Sequence, residues 1–166
     1  PSAPSPRRST RLASPAGRVS GSIVVRPAAT EEVLELRMAV LRPGFPVVAA
    51  DYDAFPGTRH VAAIGDDVVV GCATVFPSPF RDADDAWQLR GMAVAPDRQG
   101  EHIGAVVLEG AIELAQAAGA SLVWANARTT ALGFYERLGF EPVGDVFTYG
   151  AVDLPHKVIV RALQKG

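Results

Sequence analysis

Several kinds of chemistry are scarce in this sequence. There is one cysteine, Cys72, and there are three histidines in 166 residues. A lone cysteine excludes an internal disulfide framework, and no Cys/His spacing matches a zinc site. Cys72 lies among Val70, Gly71 and Ala73 and reads as a small core residue. Neither sign of charge dominates, since 16 Lys and Arg stand against 18 Asp and Glu for a net −2. Nucleic-acid binders ordinarily carry a strongly basic face, so that class is set aside. An anionic ligand stays open, because backbone N–H groups hold anions without net charge. No apolar run reaches the length of about 20 residues that a membrane-crossing helix needs. The expectations are therefore no metal, no nucleic-acid partner, no membrane partner and a cytoplasmic location.

What is present fits one domain. Apolar residues make up 48% of the chain, enough for a packed core at this length. Residues 1–20, rich in Pro, Ser, Ala and Arg and without an acid, read as a disordered tail. No apolar segment follows Arg7 and Arg8, so a secretory reading fails. A single domain is expected over 21–166.

"SIVVR" (22–26) reads as a strand closed by Pro27. Thr30 reads as an N-cap, with Glu31 and Glu32 in the first turn and Leu34, Met38 and Leu41 on one helix face. "RHVAAIG" and "DVVVGCATVF" flank Gly65-Asp66-Asp67, a hairpin signal. "AWQLRGMAVA" (86–95) is a fourth strand. A helix over about 101–118 carries the stripe Ile103, Val106, Val107, Gly110, Ala111 and Leu114 and stops at Gly119. "SLVWANA" (121–127), a short helix over 130–138, and strands near 143–150 and 156–163 complete the order β-α-β-β-β-α-β-α-β-β. The fold class is α+β, with a mixed, mostly antiparallel sheet of about seven strands flanked by helices.

The stretch "VAPDRQGEHIGAVVLEGA" (94–111) passes from strand to helix through a glycine-bearing turn. A helix N-terminus offers unpaired N–H donors and partial positive charge, and glycines admit a ligand close to the backbone. A phosphate or diphosphate suits such a turn, with Arg98 and Gln99 adding donors at the rim. Glycines that only ease packing would read the same way. The stretch lacks a P-loop pattern and a G-x-G-x-x-G. Further on, "NARTTALGFYERLGF" (126–140) places Ala131 and Tyr135 on one helix face and Phe134 and Leu138 on another, toward the core. Tyr135 can pack its ring beside the sheet and turn its hydroxyl to something polar. It can equally be an anchor for its own helix.

Taken together, these two stretches resemble the GCN5-related N-acetyltransferases. The family turn [RQ]-x-x-G-x-[GA] falls on Gln99, Gly100, Glu101, His102, Ile103 and Gly104. The later N-x-x-x-x-A-x-x-x-Y-x-x-x-G-F falls on Asn126, Ala131, Tyr135, Gly139 and Phe140. The resemblance covers Ser22 to about Leu163. "VLRPG", "LRGMAV" and "LPHKVIV" also resemble an uncharacterised bacterial subgroup near the ElaA-like proteins. His102 departs from the pattern, where the family usually has glycine. It is expected in the first helical turn, facing solvent, narrowing the phosphate cradle or donating to it.

The resemblance implies acetyl-CoA as donor and an amine of a small molecule or peptide as acceptor. It implies that Met92, Ala93 and Val94 pair with the pantetheine arm, with a backbone N–H near Val94 facing the carbonyl oxygen. The diphosphate would meet the backbone from Gln99 through Ala105. Asn126, Ala131 and Phe134 would border the donor, and Tyr135 would be the general acid for the leaving thiolate. For the base or water relay His60, His156, Asp51, Asp53 and Asp85 stay open, and each histidine reads equally as structural. The segment 43–58 is expected to shape the acceptor pocket. The mildly acidic balance points to a cationic or amine acceptor. Edge strands near the C-terminus make a homodimer plausible. The alternative reading is a non-catalytic domain of this fold that binds acetyl-CoA or a partner protein.

Overall fold

The computed structural model describes residues 22–149 and 152–164. The Pro/Ser/Arg-rich segment 1–20, read as a tail, lies outside the described residues. So does the final residue of the strand expected near 143–150. The elements are β1 (Val24–Ala28), α1 (Thr30–Leu41), β2 (Arg59–Gly65), β3 (Val68–Pro77), β4 (Trp87–Val94), α2 (Ile103–Ala117), β5 (Leu122–Arg128), α3 (Leu132–Arg137), β6 (Glu141–Tyr149) and β7 (Val152–Ala162). They form one seven-stranded sheet in the order β1-β2-β3-β4-β5-β7-β6. Every adjacent pair is antiparallel except β4 and β5. The expected fold class and element order hold.

Local chemistry explains several boundaries. Strand β1 runs through Pro27 to Ala28, two residues beyond the expected end. It is an edge strand, so the ladder hydrogen bond that proline cannot donate is tolerated there. Asp66 and Asp67 both adopt positive φ, 51° and 62°, the geometry of a type I′ hairpin turn between β2 and β3. The N-cap of α1 is Ala29 and not Thr30. Glu32 reaches back to the Ala29 amide at 3.0 Å, and the Thr30 hydroxyl is turned instead to His60 Nε2, also at 3.0 Å.

The two main helices cover opposite faces of the sheet. Helix α2 buries Ile103, Val107, Leu108, Ala111, Ile112 and Ala115, in one core with Val61, Val75, Leu89 and Val123. Each fully buried Val, Leu or Ile contributes about 1.5–3 kcal/mol. The expected α2 stripe is correct for Ile103, Val107 and Ala111, but Val106 and Leu114 are only half-buried. Helix α1 covers the other face, where Val33 packs with Ala62, Cys72 and Ala93. Its buried side is Val33, Arg37 and Met38, rotated from the expected Leu34–Met38–Leu41 face, and it carries an arginine inward.

Candidate active site

The site is built where the sheet opens. β4 and β5 are paired only at Trp87↔Val123 and Gln88↔Trp124. Beyond Gln88 the two strands separate, which leaves the β5-facing edge of β4 without a ladder partner. Parallel neighbours can splay in this way because no hairpin ties their ends.

Within that free stretch β4 carries a bulge. Cys72 pairs with Ala93 and Thr74 with Arg90, so Ala73 faces both Gly91 and Met92. Gly91 has φ +63°, and a Cβ there would lie 2.8 Å from both Arg37 Nε and Tyr52 Oη. No other residue fits this conformation and this space. The bulge changes the alternation of β4. Leu89 and Met92 pack on the α2 side, whereas Arg90 and Gly91 both face the α1 side.

A buried polar network backs the bulge. Arg37 donates to Asp53 Oδ2 at 2.7 Å and Oδ1 at 3.0 Å, and to Thr74 Oγ1 at 2.8 Å. Both charged side chains are 3% exposed. Arg37 Nε has no hydrogen-bond partner among the described residues. Burial disfavours the Asp53 charge, but Arg37, the Ala50 amide and His60 outweigh it and hold the carboxyl below its ordinary range. His60 uses both ring nitrogens, Nδ1 on Thr74 at 2.8 Å and Nε2 on Thr30 at 3.0 Å. Burial lowers its pKa, and Arg37 adds to that against the pull of Asp53, so the ring is held neutral.

Where the strands separate there is a cavity of about 310 Å³, bordered among others by Gln88, Arg90, Asn126, Arg128, Tyr135 and His156. Tyr135 enters it from α3. Its ring is edge-on to Phe134 at 5.1 Å and to Phe140 at 5.6 Å. Its hydroxyl points to Met92 Sδ at 3.7 Å. A thioether is a weak acceptor, so a better one could capture this proton at little cost. Burial raises the Tyr135 pKa above its ordinary value, so the phenol stays protonated near neutral pH. His156 Nδ1 lies 2.7 Å from the Leu154 carbonyl. A carbonyl only accepts, so Nδ1 carries the hydrogen and Nε2 is the basic nitrogen of the neutral ring.

The glycine-bearing turn adjoins the cavity through Met92 and Phe134. A Cβ on Gly104 would meet both side chains at 3.4 Å. The first α2 ladder bond is donated by Val106 to the His102 carbonyl, at 3.3 Å. The amides of Ile103, Gly104 and Ala105 precede that ladder and have no i−4 carbonyl to meet. Around Gly100 the backbone is open, with nothing within 4 Å of a Cβ position. Arg98 is tied by Nε to Glu101 at 2.7 Å and lies 3.9 Å from Asp66, turned toward the β2–β3 hairpin. Gln99 is exposed.

His102 is not in the first helical turn as expected. It is the residue before the helix, exposed, with φ 61° and ψ 17°. A left-handed conformation favours glycine and strains a side chain with a Cβ. His102→Gly is expected to stabilise the protein by about 0.5–1 kcal/mol, read as a rise of a few degrees in Tm.

The structure thus brings Met92, Asn126, Ala131, Tyr135 and His156 to one cavity. His60 and Asp53 lie behind the bulge in the buried network. Asp51 is exposed and accepts from the Tyr52 amide at 2.8 Å. Asp85 accepts from Ser121 ahead of β4 and does not border the cavity. Of the segment 43–58, Tyr52 and Asp53 pack behind the bulge, and Leu41 just before it borders the cavity. Sequence reasoning missed Arg37, Tyr52 and Gly91. An isolated glycine within a strand pattern was the available signal for the bulge. Arg90, Arg128 and Gln88 at the cavity wall were missed as well.

Comparison with known proteins agrees with this fold. The model of the acetyltransferase (GNAT) family matches residues 18–140. An uncharacterized N-acetyltransferase of Bacillus subtilis, YitI, is 28% identical over 127 residues, which is 74% of this chain and 85% of that protein. The crystal structure of Escherichia coli ElaA superposes with a TM-score of 0.70 at 21% identity, covering 84% of this chain and 99% of that one. The NatC complex bound to Gag peptide and CoA contains a chain that matches at TM-score 0.68 and 17% identity, covering 86% and 99%.

Proposed function

Because the chain belongs to the acetyltransferase (GNAT) family, we propose that it moves an acetyl group from acetyl-CoA directly to an amine of a small molecule or peptide. The observation that carries this reading is the separation of β4 from β5 with a half-buried phenol facing the gap. The unpaired edge of β4 fits the amides of a pantetheine arm. The open turn of 99–105 with its unladdered amides fits a diphosphate. A structural neighbour holds CoA in its complex.

The thioester supplies an activated acyl carbon and a sulfur leaving group. Met92, Ala93 and Val94 offer backbone groups that bind and align it, and an N–H near Val94 meets the carbonyl oxygen as charge grows there. Gln99, Gly100, Glu101, His102, Ile103, Gly104 and Ala105 form the diphosphate turn through their backbone, with Arg98 bracing it. Asn126 and Ala131 border the opening, and Phe134 packs the turn against α3. As the new C–N bond forms and the C–S bond breaks, Tyr135 gives its proton to the departing sulfur. His156 Nε2, directly or through water, takes the proton that the amine gives up. Holding both reactants in line would supply much of the rate.

Acetyl-CoA is expected to raise Tm with concentration, following RT ln(1 + [L]/Kd). Coenzyme thiol should then be released in the presence of an amine. The assay is clean in this protein, because Cys72 is buried and burial pushes its thiol up to about 11. Stabilisation without thiol release over a broad amine panel would instead favour a binding module, and neither effect would overturn the reading.

A further inference from the structure

We propose that the acceptor is a small amine that also carries a carboxylate, and that Arg128 and Arg90 recognise it. This deepens the acetyltransferase reading and rests on it. Among the described residues, the titratable groups at the cavity wall, apart from the phenol of Tyr135, are Arg90, Arg128 and His156, with no Asp or Glu. The acidic balance of the whole chain, which pointed toward a cationic acceptor, is therefore not the charge that the acceptor meets.

Strand register puts these groups on one face. Val123, Ala125 and Ala127 belong to the core under α2. Asn126 and Arg128 consequently alternate onto the other face. Arg128 stands opposite His156 in the β5–β7 ladder, so their side chains emerge together. Arg90 reaches the same face from across the gap. Tyr135 lies with the α2 core, so an acceptor on the α1 face meets the donor through the opening.

The arginines differ in a useful way. The Arg90 guanidinium lies 4.7 Å from the Tyr52 ring centroid, and that ring is stacked on Phe76 at 5.5 Å, so the fork is held in place. Arg128 is exposed and has no ion-pair partner among the described residues. A planar guanidinium matches a carboxylate in bidentate fashion, whereas an acceptor that carried a second ammonium would be repelled by the same wall. The cavity volume of about 310 Å³ suits a small-molecule acceptor.

The test compares α-amino acids with their own carboxamides as acceptors near neutral pH, in the thiol-release assay with acetyl-CoA. The amide has the less basic amine, so an indifferent site would favour it. Expected is a kcat/KM at least about tenfold higher for the acids. Arg128→Gln should abolish that preference by raising the KM of the acids, with acetyl-CoA affinity unchanged, and Arg128→Lys should restore it in part. Equal or better use of amides or of linear diamines overturns the proposal, as does a stronger preference for aminoalkyl phosphates. If no amine turns over, calorimetry of the amino acids against the CoA-loaded protein decides. Binding of the acids that is lost in Arg128→Gln supports the proposal, and no binding overturns it. Failure of acetyl-CoA itself to bind is a separate result, and it removes the donor reading and this inference together.

Discussion

Tyr135→Phe is expected to lower turnover by about 10²-fold or more and to leave acetyl-CoA affinity nearly unchanged. The substitution removes one oxygen from a ring that is already packed edge-on between Phe134 and Phe140. The oxygen's contact is a long one, 3.7 Å to the Met92 thioether, so the fold loses little. What disappears is the proton donor facing the gap between β4 and β5. Burial raises the pKa of the phenol, so no loss of activity from its ionisation is expected below its ordinary value. The check is kcat and KM with one amine, together with Kd for acetyl-CoA by calorimetry. Full turnover by the variant would remove Tyr135 from the reaction.

Asp53→Asn is the second large effect, and it acts on stability first. It leaves Arg37 charged, 3% exposed and without its bidentate partner. Breaking a buried pair from one side costs about 3–5 kcal/mol, and for a chain of this size that is roughly 10 °C in Tm. Replacing both residues with apolar ones, Arg37→Met with Asp53→Leu, should recover most of the loss, because no buried charge is then stranded. The double variant is informative about activity as well. Arg37 Nε and Tyr52 Oη lie directly behind Gly91, so a relaxed network would let the β4 bulge shift. The expected result is a folded protein with lower kcat and little change in acetyl-CoA affinity.

The same network sets an acid limit. The folded pKa of Asp53 is below its unfolded value, so its stabilisation is present above the unfolded pKa and is lost as pH falls through the folded one. His60 also titrates lower in the folded state, so the unfolded chain gains protons first as pH drops below about 6.5. Both groups weaken the native state in the same direction. Thermal melts across this range should therefore show stability falling with pH in the native protein. In Asp53→Asn the slope should be shallower at and below the ordinary carboxylate range, about pH 4, where the Asp53 contribution is missing.

Local order was readable in the sequence because local order is written locally. Helix α2, its stop at Gly119 and the Asp66-Asp67 hairpin follow from side-chain period and from residues that tolerate positive φ. The glycine-bearing turn and Tyr135 could be singled out because their spacing lies within single short stretches. His102 was misplaced by one residue, since a helix boundary depends on which amide first finds its carbonyl.

Partnerships across the chain were decided by the tertiary structure alone. Nothing local marks Arg37 until Asp53, Thr74 and Gly91 are brought around it. His60 and His156 look alike in the sequence, yet strand order puts one behind the bulge and the other at the cavity beside Arg128. The insertion of β7 between β5 and β6 has no local signal either. Periodicity tells each strand which side is apolar, but not which strand will lie next to it. The charge that a ligand meets depends on that neighbour.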